Sequence, residues 1–483
     1  MRNRLCMRSF KPVAAAVALA SLAACGGGDS GPTLPVAEDL RVQDSRVYTP
    51  APEATFAALV NTTVETDRWT GVLKGAAYRV EVPKTGWNGK LVMWAHGYRG
   101  TGPSLTVDTP IMRRYLLEKG YAWAASSYSK NYYDVRAGVE DTNALALNFS
   151  TIAASNNRPL AAPTKIFITG ISMGGHVTAA AIDAEAQTTA INKVKYAGAV
   201  PMCGVLGDTE LFNYFAGYQV VAQQLAGVPI TSFPVANFEA LTPTIRAALW
   251  SSYPTQTNAQ GDKLKNVMMN LSGGARPFYA EGWANAGNQN NIWSSLGGDG
   301  TINGILTQNV LDTTAFTYKI DASSTANTAA DDAFNASIFK IRPTADANRL
   351  RRDGLRWIPV TSADFNVPVV TLHTLGDLFV PFKMEQIFNQ RAKAKGSDKW
   401  LVQRAIRDVG HCAFTAAEAT AAFDAMVLWE AGGPKPAGDD VVTAATVASP
   451  TYGCTFTNNT PSTEDFTPPL VRAGFQANYP KCQ

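Results

Sequence analysis

Histidine is scarce in this sequence: His96, His176, His373 and His411 are the only four in 483 residues, so any imidazole chemistry must draw on them. Cysteine is sparse as well, six in all, with no C-x-x-C and no His/Cys cluster at ligand spacing, which argues against a metal site. Charged residues make up only 17% of the chain. The net charge of +3 comes from the extreme N-terminus, where Arg2, Arg4, Arg8 and Lys11 stand with no acid among residues 1–24. The rest is near neutral and offers no basic field to a nucleic acid. Past the N-terminus no stretch is long and apolar enough to span a bilayer, and there is no internal repeat. What the chain has in quantity is apolar residues, 46% of the total, over a length that allows a large core and exceeds one minimal domain.

The four N-terminal cations precede an apolar run over 12–24, too short for a membrane span and built like an export signal. It ends in Leu22-Ala23-Ala24-Cys25, which resembles the lipobox of bacterial lipoproteins, whose cysteine becomes the lipidated first residue. The resemblance implies a signal over 1–24 and lipidation at Cys25, with a flexible polar tether over 25–50. Gly26, where Gram-negative sorting rules read Asp as a retention signal, implies the outer membrane. The expected location is the bacterial cell envelope, lipid-anchored in the outer membrane or facing the periplasm, with no other membrane contact. Export means an oxidising compartment. Cys6 leaves with the signal and Cys25 is lipidated, so Cys203, Cys412, Cys454 and Cys482 remain for two disulfides, with three pairings open.

From residue 76 the pattern alternates. Strands are expected over 78–82, 91–95, 121–126, 165–169 and 196–202, and helices over 111–119, 139–153 and 174–186. The rhythm resumes with strands over 367–372 and 400–406 and a helix over 416–429. This predicts an α/β fold, a mostly parallel sheet with helices on both faces, formed by residues 51–204 and 357–437. Residues 205–356 break the rhythm and are expected to form a large inserted cap that opens with a helix over 210–225; residues 438–483 read as an irregular tail.

Gly170-Ile171-Ser172-Met173-Gly174 is a G-x-S-x-G sequence between an expected strand and an expected helix. A serine on so tight a turn needs very small neighbours, and the turn exposes its hydroxyl where the helix N-terminus favours a developing oxyanion. Leu271-Ser272-Gly273-Gly274 lacks the leading glycine and a buried strand, and reads as loop. Ser172 needs a base. His176 is too close in sequence to wrap back, His96 ends a buried strand, and His373 precedes the expected acid loop. His411, on the loop after the last strand, is the candidate. Asp377, after the preceding strand, would fix its tautomer and balance its charge; Asp364 lies at the opposite edge of the sheet. The oxyanion donors are expected to be the backbone N–H groups of Met173 and of Tyr98, in His96-Gly97-Tyr98.

His96-Gly97-Tyr98, Gly170–Gly174, then Asp377 before His411 together resemble the α/β-hydrolase superfamily, most of all its secreted esterases, polyester depolymerases and prolyl-oligopeptidase-like hydrolases. His411-Cys412 also resembles the tannase and feruloyl-esterase pattern, in which that cysteine bonds one preceding the serine. Ile171 occupies that place here, so Cys203, ending the neighbouring strand, is the alternative partner for Cys412, and Cys454–Cys482 would pin the tail. The resemblance implies a serine hydrolase that cleaves carboxylic esters, small or polymeric, through an acyl-enzyme and without a cofactor. The rival readings are a peptidase or amidase of the same fold and a noncatalytic surface-binding lipoprotein. Phe215 and Tyr218, on the helix entering the cap, are expected either to pack on the core or, with Tyr98, to border the substrate pocket.

Overall fold

The computed structural model describes residues 45–235, 237–297, 310–321, 326–465 and 469–482. The expected signal, Cys25 and all but the end of the tether lie outside the described residues.

Eight strands form the main sheet: β1 (Thr66–Leu73), β2 (Ala76–Pro83), β3 (Lys90–Ala95), β4 (Ala122–Ser126), β5 (Lys165–Ile171), β6 (Gly198–Met202), β7 (Val369–Thr374) and β8 (Leu401–Ile406). Their order is β1-β2-β4-β3-β5-β6-β7-β8. β2 runs antiparallel to both of its neighbours and all other pairs are parallel. β3 explains the continuous apolar runs. Leu91, Met93 and Ala95 belong to one buried cluster and Val92 and Trp94 to another, because successive side chains leave opposite faces and both faces are covered.

Helices α1 (Arg113–Glu118), α2 (Val135–Ser155) and α3 (Met173–Ile182) follow β3, β4 and β5. α2 and α3 cover one face, with Val139, Phe149 and Val177 in the first cluster. α1 covers the other face with Leu116 and Leu117. The helix expected over 174–186 breaks at Asp183, which is extended and caps a separate short helix by accepting from Glu185 N.

Between β6 and β7 the chain forms α4 (Glu210–Leu225), α5 (Phe238–Leu249), α6 (Ala259–Leu271), α7 (Tyr279–Ala284), α8 (Ala286–Ser294) and α9 (Ala329–Ser337). Buried residues here, such as Phe212, Val267 and Trp283, belong to the same cluster as the α2–α3 face, so the insertion shares the core of the sheet. α10 (Lys383–Lys395) and α11 (Ala416–Glu430) complete the layers. Ala419, Ala422, Phe423 and Met426 of α11 recur at helical spacing and pack beside α1. No helix among the described residues is long and apolar enough to cross a membrane.

The tail contains a helix, α12 (Pro469–Gln476), that its composition did not announce. The disulfides join Cys203 to Cys412 and Cys454 to Cys482. The second closes the tail on itself and does not pin it to the core. The tail meets the core through a backbone bond from Asp439 N to Gln403 O at 2.7 Å and through side chains, as when Arg407 Nη1 donates to Pro480 O at 2.8 Å and Nη2 to Pro450 O at 2.7 Å.

Candidate active site

Parallel register aligns the ends of the central strands: Ala95 pairs with Gly170, and Ile171 with Met202. The residues that follow therefore gather at one edge of the sheet, where ligands of open α/β sheets bind. Ser172 stands there between β5 and α3, with φ 56° and ψ −123°. A non-glycine residue at positive φ is strained by about 1–3 kcal/mol, held only because its surroundings over-determine it. The neighbouring glycines are obligatory: a Cβ on Gly174 would lie 2.0 Å from Ala95 O, and one on Gly170 2.5 Å from Gly174 O.

Asp377 lies in the turn after β7, fully buried. Its Oδ1 accepts from the backbone N–H of Phe379 and Val380 at 2.9 and 3.0 Å, and its Oδ2 is 2.6 Å from His411 Nδ1. A carboxylate can only accept, so Nδ1 donates and Nε2 is left with its lone pair. That lone pair faces Ser172 Oγ at 2.7 Å. Serine, aspartate and histidine thus meet, in that chain order, at the C-terminal edge of a sheet whose second strand is antiparallel and whose third and fourth strands are exchanged. The fold is that of the α/β-hydrolases.

In this fold the loops carrying Asp377 and His411 are tied together from the insertion. Asn288 Nδ2 on α8 donates to Gly376 O at 2.9 Å, Val409 O at 2.9 Å and Gly282 O at 3.0 Å. Arg276 Nε donates to Leu375 O at 2.7 Å, and Tyr214 Oη to Leu378 O at 2.9 Å. The Cys203–Cys412 disulfide holds the histidine loop to the end of β6. Sequence reasoning missed Asn288 and Arg276, since their partners are backbone carbonyls that leave no trace in side-chain pattern.

The other three histidines are buried in structural roles. His96 stacks on Tyr128 at 3.9 Å, and burial pushes its pKa down to about 4. His176 lies between Tyr133 Oη and Pro359 O, at 2.9 and 2.7 Å, and burial lowers it to about 4 as well. His373 is also desolvated, but the Glu385 and Asp377 carboxylates and the Val380 carbonyl together hold its pKa above the usual value. Ser272 is buried at the end of α6 and bonded to Arg276, away from Ser172.

A cavity of about 790 Å³ opens over Ser172 and His411. Gly97 and Tyr98 border it beside Ser172, and Gly97 packs so closely that a Cβ there would sit 3.2 Å from Ser172 Cβ. Met173 opens α3, where the first N–H groups lack acceptors within the helix. Ile171, Val205, Leu211 and Phe379 supply apolar wall; Asn291, Ser294 and the Arg99–Asp108 ion pair supply polar rim. Of the two places expected for Phe215 and Tyr218, core or pocket, they take the core and are not in this wall. Phe215 is buried one layer behind it, its ring 5.7 Å from that of Phe379, and Tyr218 packs between Trp283 and Trp293 and donates to Gln289. Helical spacing marks a buried face but cannot say whether a pocket or a core covers it. Leu211, one turn nearer the start of α4, and Phe379, beside the acid, take the expected place.

No family model matches the chain. Among curated proteins, an o-phthalyl amidase of Xanthobacter agilis is 34% identical over 64 residues, 13% of this chain and 14% of that protein's length. Among solved structures, the rice cell wall degrading esterase LipA from Xanthomonas oryzae is 15% identical with a TM-score of 0.31, over 74% of this chain and 83% of that one. The acylaminoacyl peptidase of Pyrococcus horikoshii is 11% identical with a TM-score of 0.38, over 79% of this chain and 44% of that one.

Proposed function

We propose that the protein is a serine hydrolase that cleaves carboxylic esters through an acyl-enzyme. The observation that carries this reading is the unbroken line from Ser172 Oγ through His411 to Asp377, with contacts of 2.7 and 2.6 Å. His411 Nε2 takes the serine proton as Oγ attacks the ester carbonyl. Asp377 keeps Nδ1 protonated and balances the imidazolium. The amides of Met173 and Tyr98 stabilise the oxyanion. His411 then returns the proton to the leaving alcohol, and water, activated by the same imidazole, releases the acid. The cavity suits a small ester or one end of a polymeric chain, its apolar side taking an aliphatic or aromatic group.

The stretch of identity with an amidase favours a second reading, hydrolysis of amides at the same serine. Matched p-nitrophenyl esters and p-nitroanilides separate the two. The ester reading expects ester turnover that Ser172→Ala lowers on the order of 10⁴-fold or more; turnover of anilides at comparable rates would replace it with the amidase reading.

We also propose that the mature chain is anchored to the cell envelope through lipid on Cys25. Two disulfides among the four remaining cysteines support an oxidising compartment. Cys25→Ser should release the protein from membranes; a wild type already soluble and unacylated would refute the anchor.

A further inference from the structure

Arg472, on α12 of the tail, is fully buried although it is the most polar of side chains. Its Nε donates to Asp408 Oδ2 at 2.8 Å, its Nη2 to Ala413 O at 2.5 Å, and its Nη1 and Nη2 to the two oxygens of Glu418 at 2.7 and 3.0 Å. Asp408 lies three residues before His411 and Ala413 two residues after it. The other oxygen of Asp408 accepts from the N–H groups of Val409 and Gly410 at 2.6 and 3.0 Å, shaping the turn that delivers the imidazole. Glu418 completes the capping box of α11 with Thr415, which fixes where the loop ends. One planar guanidinium therefore spans both stems of the histidine loop. Only arginine offers donors in that fork, and Gln476 on the same helix adds a bond to Arg407 O at 2.9 Å.

We propose that Arg472 is a positioning residue for His411, by which the C-terminal tail sets the geometry of the histidine loop against Ser172. This rests on the reading of His411 as the catalytic base. Removing the guanidinium leaves two buried carboxylates facing each other without a counter-charge, and the stems carrying them move apart. Displacing a base by about 1 Å costs roughly 100-fold in rate while substrate binding is unchanged. A purely structural role would instead lower activity only in proportion to the unfolded fraction.

The test compares Arg472→Met, Arg472→Lys, the triple variant Arg472→Met/Asp408→Asn/Glu418→Gln and His411→Ala with the wild type. The readouts are kcat and KM on a p-nitrophenyl ester, well below each melting midpoint, and the rate at which a fluorophosphonate labels Ser172. Expected are a kcat about 100-fold lower in Arg472→Met with KM within about twofold, labelling slowed in parallel, and partial rescue, by about tenfold, in Arg472→Lys. The triple variant, whose leftover carboxylates are neutralised, keeps the fold and should remain slow; it stands in if Arg472→Met fails to fold. A folded Arg472→Met or triple variant with kcat within about twofold of wild type, or losses that merely track the folded fraction, would overturn the proposal. His411→Ala separates the two claims: if it is as active as the wild type, the reading of the base has failed; if it is inactive while the Arg472 variants run at full speed, only the role of the tail has failed.

Discussion

Replacing Asn288 with Ala removes one amide from a place where three backbone carbonyls converge. Asn288 is 2% exposed, and Gly376 O and Val409 O, which it joins, belong to the loops that carry Asp377 and His411. Water has little room to replace it, since α7 meets the acid loop so closely that a Cβ on Gly282 would lie 2.0 Å from Gly376 O. A buried acceptor stripped of its donor costs about 1–3 kcal/mol. Two such carbonyls, with some relaxation, should lower stability by about 2–5 kcal/mol. Gly376 N still donates to Asp408 O at 2.8 Å and Thr374 Oγ1 to Gly410 O at 2.8 Å, so the loops stay joined, but loss of the Asn288 bridge should let the His411–Asp377 contact loosen, with a fall in kcat of about 10- to 100-fold. Urea unfolding followed by tryptophan fluorescence, together with kcat and KM on a p-nitrophenyl ester in the absence of urea, measures both effects on one sample. A kcat within about twofold of wild type beside the expected loss of stability would show that the bridge between the loops does not govern catalytic geometry.

Phe379→Ala should alter the relative rates on short and aromatic esters by about tenfold, as loss of one apolar pocket contact does, whereas Phe215→Ala should cost about 3–5 kcal/mol of stability and leave that ranking unchanged; the reverse result would move the pocket wall back onto α4. Neutral His176 disfavours the folded state in acid, because the unfolded chain binds a proton near pH 6.5 that the folded chain refuses until about 4. The wild type's stability advantage over His176→Gln should therefore shrink by about 3 kcal/mol as pH falls from about 7 to 4, and a pH-independent difference between the two would contradict this. Cys412→Ser should lower the melting midpoint and slow turnover by releasing the histidine loop from β6, while Cys454→Ser should spare turnover by comparison; equal losses would deny the first disulfide its place beside the site.

The sheet was legible because its strands are buried on both faces, which makes 91–95 an unbroken apolar run and 367–372 one interrupted only by Thr371, each flanked by polar or glycine-containing turns. The turn at Ser172 was legible for a stricter reason: Gly170 and Gly174 meet backbone oxygens that exclude any side chain. The contact of Asp377 with His411 follows from strand order alone, since each stands just past the end of a neighbouring strand. β1 escaped notice because Thr66–Leu73 is an edge strand of mixed burial with little alternation. Asn288 and Arg472 escaped because they act on carbonyls or carboxylates distant in sequence, and nothing in 285–291 or 469–476 distinguishes a polar loop from a brace. For Phe215 the sequence left core and pocket both open: the i, i+3 spacing on α4 marked a buried face, and Phe379, from another part of the chain, comes between it and the cavity.

The central claim, that Ser172 forms a covalent acyl-enzyme, is tested most directly by trapping it. The protein is mixed with a slowly deacylating p-nitrophenyl ester, quenched in acid during the burst, digested and analysed by tandem mass spectrometry. The account predicts one acyl adduct, on the peptide containing Ser172, absent from Ser172→Ala and strongly reduced in His411→Ala. An adduct on Ser272 or another residue, or ester turnover that persists in Ser172→Ala, would contradict it.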